Sequence, residues 1–165
     1  MPLTIRTIRV HCRPRAFRPQ PTAIELAALA QQKSVMRLFD ALIYNTDRNE
    51  SNYLLDDRDW RLYLIDHSRA FRQTSDLPEG FEQTRAWLSR DLYDQLNALD
   101  GDQLIELMEG VISVGQIEKM LERRDRIIDK IDQDREEFGD EVIFSGWHGS
   151  DLDALLLARH TASAD

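Results

Sequence analysis

Two short β-rich runs, YLLD at residues 53–56 and RLYLI at residues 61–65, stand in a chain whose other apolar residues recur mostly at helical spacing. A polar turn of Asp57, Arg58, Asp59 and Trp60 separates them, which is hairpin spacing. The remainder of the chain reads as helical. The pair therefore limits the fold class to mainly α with one small β-hairpin.

The flanking segments supply the helices. From Thr22 to Tyr44 the residues Ile24, Leu26, Ala27, Leu29, Val35, Met36, Leu38, Phe39, Leu42 and Ile43 predict one helix or two ending at Asn45, with Lys33 and Ser34 as the place for a break. Residues 67–84 have weak periodicity and read as a long loop. Trp87, Leu88, Leu92, Leu96 and Leu99 mark a further helix stopped by Asp100-Gly101, and Leu104, Ile105, Leu107 and Met108 mark another. The clearest start signal is Ser113 followed by Gln116, a capping box ahead of Ile117, Met120, Leu121, Ile127, Ile128 and Ile131 on one face. The charged run ERRDRIIDKIDQDREE at 122–137 reads as a solvated face. Trp60 and Tyr63 are expected to pack on the hairpin face, Trp87 to anchor the helix that follows it, and Asp56, Asp57 and Asp59 to form a solvated turn.

The turn fixes a register. If Asp56 pairs with Arg61, partner numbers across the ladder sum to 117, so Asn52 lies opposite Ile65 with Asp66 one step beyond. Asp47 lies on the loop between the long helix and the first strand, five residues before Asn52. Asn52 and Asp66 thus offer two hard oxygen donors at the open end of the hairpin, with Asp47 facing the same place. Magnesium suits such a set, because it keeps several waters and completes its shell with phosphate oxygens. For each acid or amide taken singly a turn or cap role competes, and for His67 a structural hydrogen bond beside Asp66 competes with a site role.

A kinase site needs an Asp acting on the acceptor hydroxyl, an Asn on the metal and a second Asp on the metal. The stretch DRNESN followed by LIDHS resembles the catalytic and metal-binding loops of atypical kinases of the phosphatidylinositol 3-/4-kinase-like superfamily, whose pattern is Asp-Arg-His-x-x-Asn and then Ile-Asp-Phe/His-Gly/Ser. The wider run FDALIYNTDRN…IDHSRAF is similar to bacterial members of that superfamily. The likeness is specific over residues 36–71, extends less sharply through the helices to about 133, and does not reach residues before 20. It implies that Asp47 is the catalytic acid/base, that Arg48 positions the catalytic loop, and that Asn52 and Asp66 bind the metal and, through it, ATP. The implied cofactors are Mg²⁺ and ATP, and the implied partner is an unknown phosphoryl acceptor.

The small lobe of a kinase carries a Gly-rich loop and a strand-borne Lys. Here the first Gly is Gly80, and the one Lys ahead of Asp47 is Lys33, on the preceding helix. The expected architecture is therefore a protein-kinase-like C-lobe lacking the N-lobe over residues 21–140, followed by a tail at 141–165, with a separate N-lobe or partner protein as an expected associate. The rival function is a non-catalytic kinase remnant acting as a binding or regulatory module. A weaker one is metal-dependent nucleotidyl transfer with the same ligands.

Charge narrows the partners. The net charge of −9 argues against nucleic acid and anionic membrane as general partners. No apolar run approaches the ~20 residues of a membrane span, and the single Cys12 rules out an intrachain disulfide framework, so a cytoplasmic setting is expected. Residues 1–20 differ from the rest: Arg6, Arg9, Arg13, Arg15 and Arg18 stand there without an acid. Pro14 and Pro19 break any amphipathic targeting helix, so this basic leader is expected to be disordered.

Overall fold

The computed structural model describes residues 21–56, 58 and 60–145. The basic leader, Asp57, Asp59 and the tail from residue 146 lie outside the described residues.

The order is α1 (Ala23–Ile43), β1 (Tyr53–Asp56), β2 (Arg61–Leu64), α2 (Glu79–Glu82), α3 (Arg90–Asn97), α4 (Gly101–Met108), α5 (Val114–Phe138) and α6 (Asp140–Ile143). The mainly α chain with one hairpin is thus what the residues form. α1 runs through Lys33 and Ser34 without a break. It starts on a capping box, Thr22 Oγ1 accepting from Glu25 N at 3.3 Å and Glu25 Oε2 accepting from Thr22 N at 2.7 Å. It ends at Tyr44, left-handed at φ 54°, a conformation that a bulky residue adopts only when its surroundings hold it.

The box of Ser113 and Gln116 opens α5 as its spacing predicts. Asp100-Gly101 is a start rather than a stop: Asp100 Oδ1 caps Gln103 N at 2.8 Å and Gly101 is the first residue of α4. Trp87 and Leu88 precede α3, which begins at Arg90 after the cap Ser89. Leu88 nonetheless reaches the core, and its N–H donates to Ile143 O at 3.1 Å.

The core gathers Leu38 and Ala41 of α1, Leu77, Ala86, Leu88, Leu96 of α3, Ile127 and Ile131 of α5, and Ile143 of α6. Ile127 and Ile131 stand one helical turn apart and are fully buried, which stabilises the fold by about 1.5–3 kcal/mol for each side chain. Ile143, placed in the tail by the sequence reading, is a core residue. Nor is the face of α5 at 122–137 simply solvated. Arg123 and Asp134 are buried, and Asp134 Oδ2 accepts from Ala86 N and from Lys130 Nζ, each at 2.7 Å.

The hairpin pairs Tyr53 with Leu64, Leu54 with Tyr63, Leu55 with Leu62 and Asp56 with Arg61, the predicted register. Gln32 of α1 anchors it: Nε2 donates to Trp60 O at 2.9 Å, and Oε1 accepts from Leu62 N at 2.9 Å. Trp60 is buried with φ 56°, as a packing residue, while Tyr63 faces outward and is exposed, against the sequence expectation. β2 thus lies along α1, and the open end of the hairpin comes to the helix C-terminus.

Candidate functional site

The site is assembled around a buried acid. Asp40, in the last turn of α1, is only 6% exposed. Its Oδ2 accepts from Arg48 Nε at 2.8 Å, and its Oδ1 accepts from Arg48 Nη2 at 2.8 Å and from Asn45 Nδ2 at 3.1 Å. The remaining guanidinium nitrogen, Nη1, donates to Ile65 O at 2.8 Å and to Asn52 O. One side chain therefore joins the helix to both sides of the hairpin's open end. The hydrogen bonds to Asp40 are the main cause of the raised pKa of Arg48, with burial opposing them.

Asn52 and Asp66 lie where the register places them. Ile65 N donates to Asn52 O at 3.2 Å, one step past the last ladder pair, and Asp66 follows directly. Asn52 is 7% exposed. Its Nδ2 donates to Asp47 O at 2.7 Å, which fixes the amide's orientation, while Oδ1 takes only a 3.3 Å bond from Ser51 Oγ. The intervening loop is tied to itself through Asn49, whose Oδ1 accepts from Ser51 N at 2.9 Å and whose Nδ2 donates to Asp47 O at 3.0 Å. Short polar side chains bonding backbone two residues away make such a loop stiff without a helix or strand.

The two carboxylates are held differently. Asp66 is exposed and left-handed at φ 54°. Its Oδ1 accepts from Ser68 Oγ at 2.7 Å and Ser68 N at 3.2 Å, leaving Oδ2 outside both bonds. The Ser68 hydroxyl first, then its N–H, hold this carboxyl below the usual carboxylate range, with Arg69 and His67 adding to the effect. Asp47 has a partly exposed carboxylate whose Oδ2 lies 3.5 Å from Arg69 Nε. The His67 ring meets Phe39 edge-on at 5.8 Å, and its Nε2 is buried without a hydrogen-bond partner.

The donor chemistry can be tested against magnesium. Among the described residues no group of three His, Cys, Asp or Glu side chains forms a metal cage. Asn52 Oδ1, whose amide commits its nitrogen to Asp47 O, and the Asp66 carboxylate, held below the usual carboxylate range, are hard oxygen donors of the type magnesium takes. Arg48, placed with the catalytic residues by the sequence, spends its nitrogens on Asp40 and on the Asn52 and Ile65 carbonyls at the open end of the hairpin.

Sequence reading missed Asp40, Asn45, Gln116 and Arg123 as parts of this region. Asp40 had a signal: an acid between Leu38 and Ala41 on the apolar side of a helix needs a cation. Arg123 had one too, falling three residues after Met120 and four before Ile127 on the buried stripe. Compared with protein-family models, curated proteins and solved structures, the chain matches none of them.

Proposed function

We propose that this chain carries the acid- and metal-bearing part of an ATP- and Mg²⁺-dependent phosphotransferase of atypical kinase type. The observation that carries the reading is Arg48, whose guanidinium holds Asp40, Asn52 O and Ile65 O together and so brings the Asp47 loop and the Asp66 end of the hairpin to one place.

Asp47 takes the proton of an acceptor hydroxyl as its oxygen bonds to the γ-phosphorus. The bond from that phosphorus to the β–γ bridging oxygen breaks, and ADP leaves with the electron pair. Asn52 and Asp66 would hold the cation, and Arg48 keeps their backbones in register. When bound, magnesium neutralises charge on the phosphate oxygens.

A second reading is favoured by one observation. Leu54, Leu55, Tyr63 and Ile65 leave the hairpin with exposed apolar side chains, a surface that suits a partner protein and therefore a non-catalytic binding or regulatory module.

Calorimetry of ATP binding with and without Mg²⁺, on the native chain and on Asp66→Ala, tests the first reading. Metal-dependent binding that the substitution removes supports it. No nucleotide binding by the native chain in either condition would leave the binding-module reading in its place.

A further inference from the structure

Arg123 places a guanidinium in the protein interior at 0% exposure. Its Nε donates to Leu42 O at 2.8 Å, in the last turn of α1, and its Nη1 donates to Arg72 O at 3.2 Å and to Thr74 O. Nη2 is buried without a hydrogen-bond partner, no carboxylate among the described residues bonds the group, and the guanidinium carbon lies over the Tyr44 ring at 5.6 Å from its centroid. A buried charge lacking a counter-ion is costly, and an apolar side chain of similar volume at this point of the stripe would pack without that cost. Packing of α5 alone therefore does not account for Arg123. What a planar fork does, and an apolar chain cannot, is fasten two backbone segments at once.

Those segments are the two that reach the candidate site. Leu42 precedes Asp47 by five residues, and Phe71 follows Asp66 by five. Two more bonds act on the same join: Phe71 N donates to Ile43 O at 2.6 Å, and Gln116 Nε2 of α5 donates to Phe71 O at 2.8 Å. Phe71 is left-handed at φ 58°, a backbone state that persists because its neighbours over-determine it.

We propose that Arg123 is a positioning residue for the candidate site: from α5 it ties the end of α1 that leads to Asp47 to the segment that leaves Asp66, so that the two carboxylates keep one relative placement. The mechanical coupling stands on the hydrogen bonds alone; its effect on nucleotide rests on the phosphotransferase reading.

The test compares the native full chain with Arg123→Met, which fills the space without donors, and Arg123→Lys, which keeps the charge without the fork. Amide hydrogen exchange is followed at residues 47–52, at 70–74 and in α3, which packs on α5 through the core but carries no candidate site residue, as the reference for general stability, alongside Mg²⁺·ATP affinity. The expected result is native helicity, exchange at both site segments at least about tenfold faster relative to α3, and affinity lower by about 10-fold or more, with Lys failing to rescue. Equal acceleration in α3 would show general loss of stability and overturn the proposal, as would acceleration in one site segment or neither, or an unchanged affinity beside local loosening. If the native chain binds no Mg²⁺·ATP, the phosphotransferase reading fails by that result, and exchange in the two segments alone decides the coupling. If neither variant folds, the native chain decides by NMR. Arg123 Nε–H and Phe71 N–H giving the same opening constant to within about tenfold, after each rate is divided by that group's intrinsic exchange rate, support a single joint opening, and a larger difference overturns it.

Discussion

Arg48 meets Asp40 through two nitrogens at 2.8 Å, Nε on Oδ2 and Nη2 on Oδ1, with both side chains below one-tenth exposed. The pair spans the last turn of α1 and the loop that follows it, and through Nη1 it continues into the hairpin. Removing either partner leaves the other charge buried and unmatched, so Asp40→Ala and Arg48→Met are each expected to destabilise the fold by about 3–5 kcal/mol in urea unfolding. A loss below about 1 kcal/mol would mean that the pair is solvated and does not organise the site.

Asp47 and Asp66 should separate in their effects. Asp66→Ala is expected to abolish metal-dependent ATP binding. Asp47→Ala should leave ATP affinity within about threefold while removing any turnover, because in the proposed function this carboxylate would act on the acceptor hydroxyl rather than on nucleotide. Parallel losses of ATP affinity in both variants would contradict that division of roles.

The pKa of Asp66 is depressed chiefly by Ser68. A carboxyl lowered in the folded state contributes stability that is present above its unfolded pKa of about 3.9 and is lost as pH falls through the folded value. Ser68→Ala should move the Asp66 titration, followed by carboxyl carbon NMR, upward toward the ordinary value. An unmoved midpoint would assign the depression to Arg69 and His67 instead.

Ile131 is fully buried in the cluster that joins α5 to α1, α3 and α6. Ile131→Ala is expected to cost about 2–5 kcal/mol, and Ser113→Ala, which removes the N-cap of α5, about 1 kcal/mol. Thermal unfolding of the two variants should rank them in that order. The reverse ranking would place the stability of α5 in its cap rather than in its buried stripe.

Sequence alone determined the features whose partners lie a few residues away. The Ser113–Gln116 box is satisfied within its own first turn, and the ladder register follows from the turn between Asp56 and Arg61, carrying Asn52 to its place opposite Ile65. The same locality made α1 and α5 legible from their apolar periodicity. Tertiary structure decided the rest. Arg123 sits among charges that look like a solvated face, yet it goes inward because Leu42, Arg72 and Thr74 present carbonyls there, from segments far apart in the chain. Asp40 turns from a helix-face acid into the anchor of the site only because Arg48 folds back on it. Ile143 joins the core because α6 lies beside α5, and its carbonyl accepts from Leu88 N. Periodicity and spacing describe a residue's neighbours along the chain, whereas a buried polar group is placed by whichever distant backbone groups remain to be bonded.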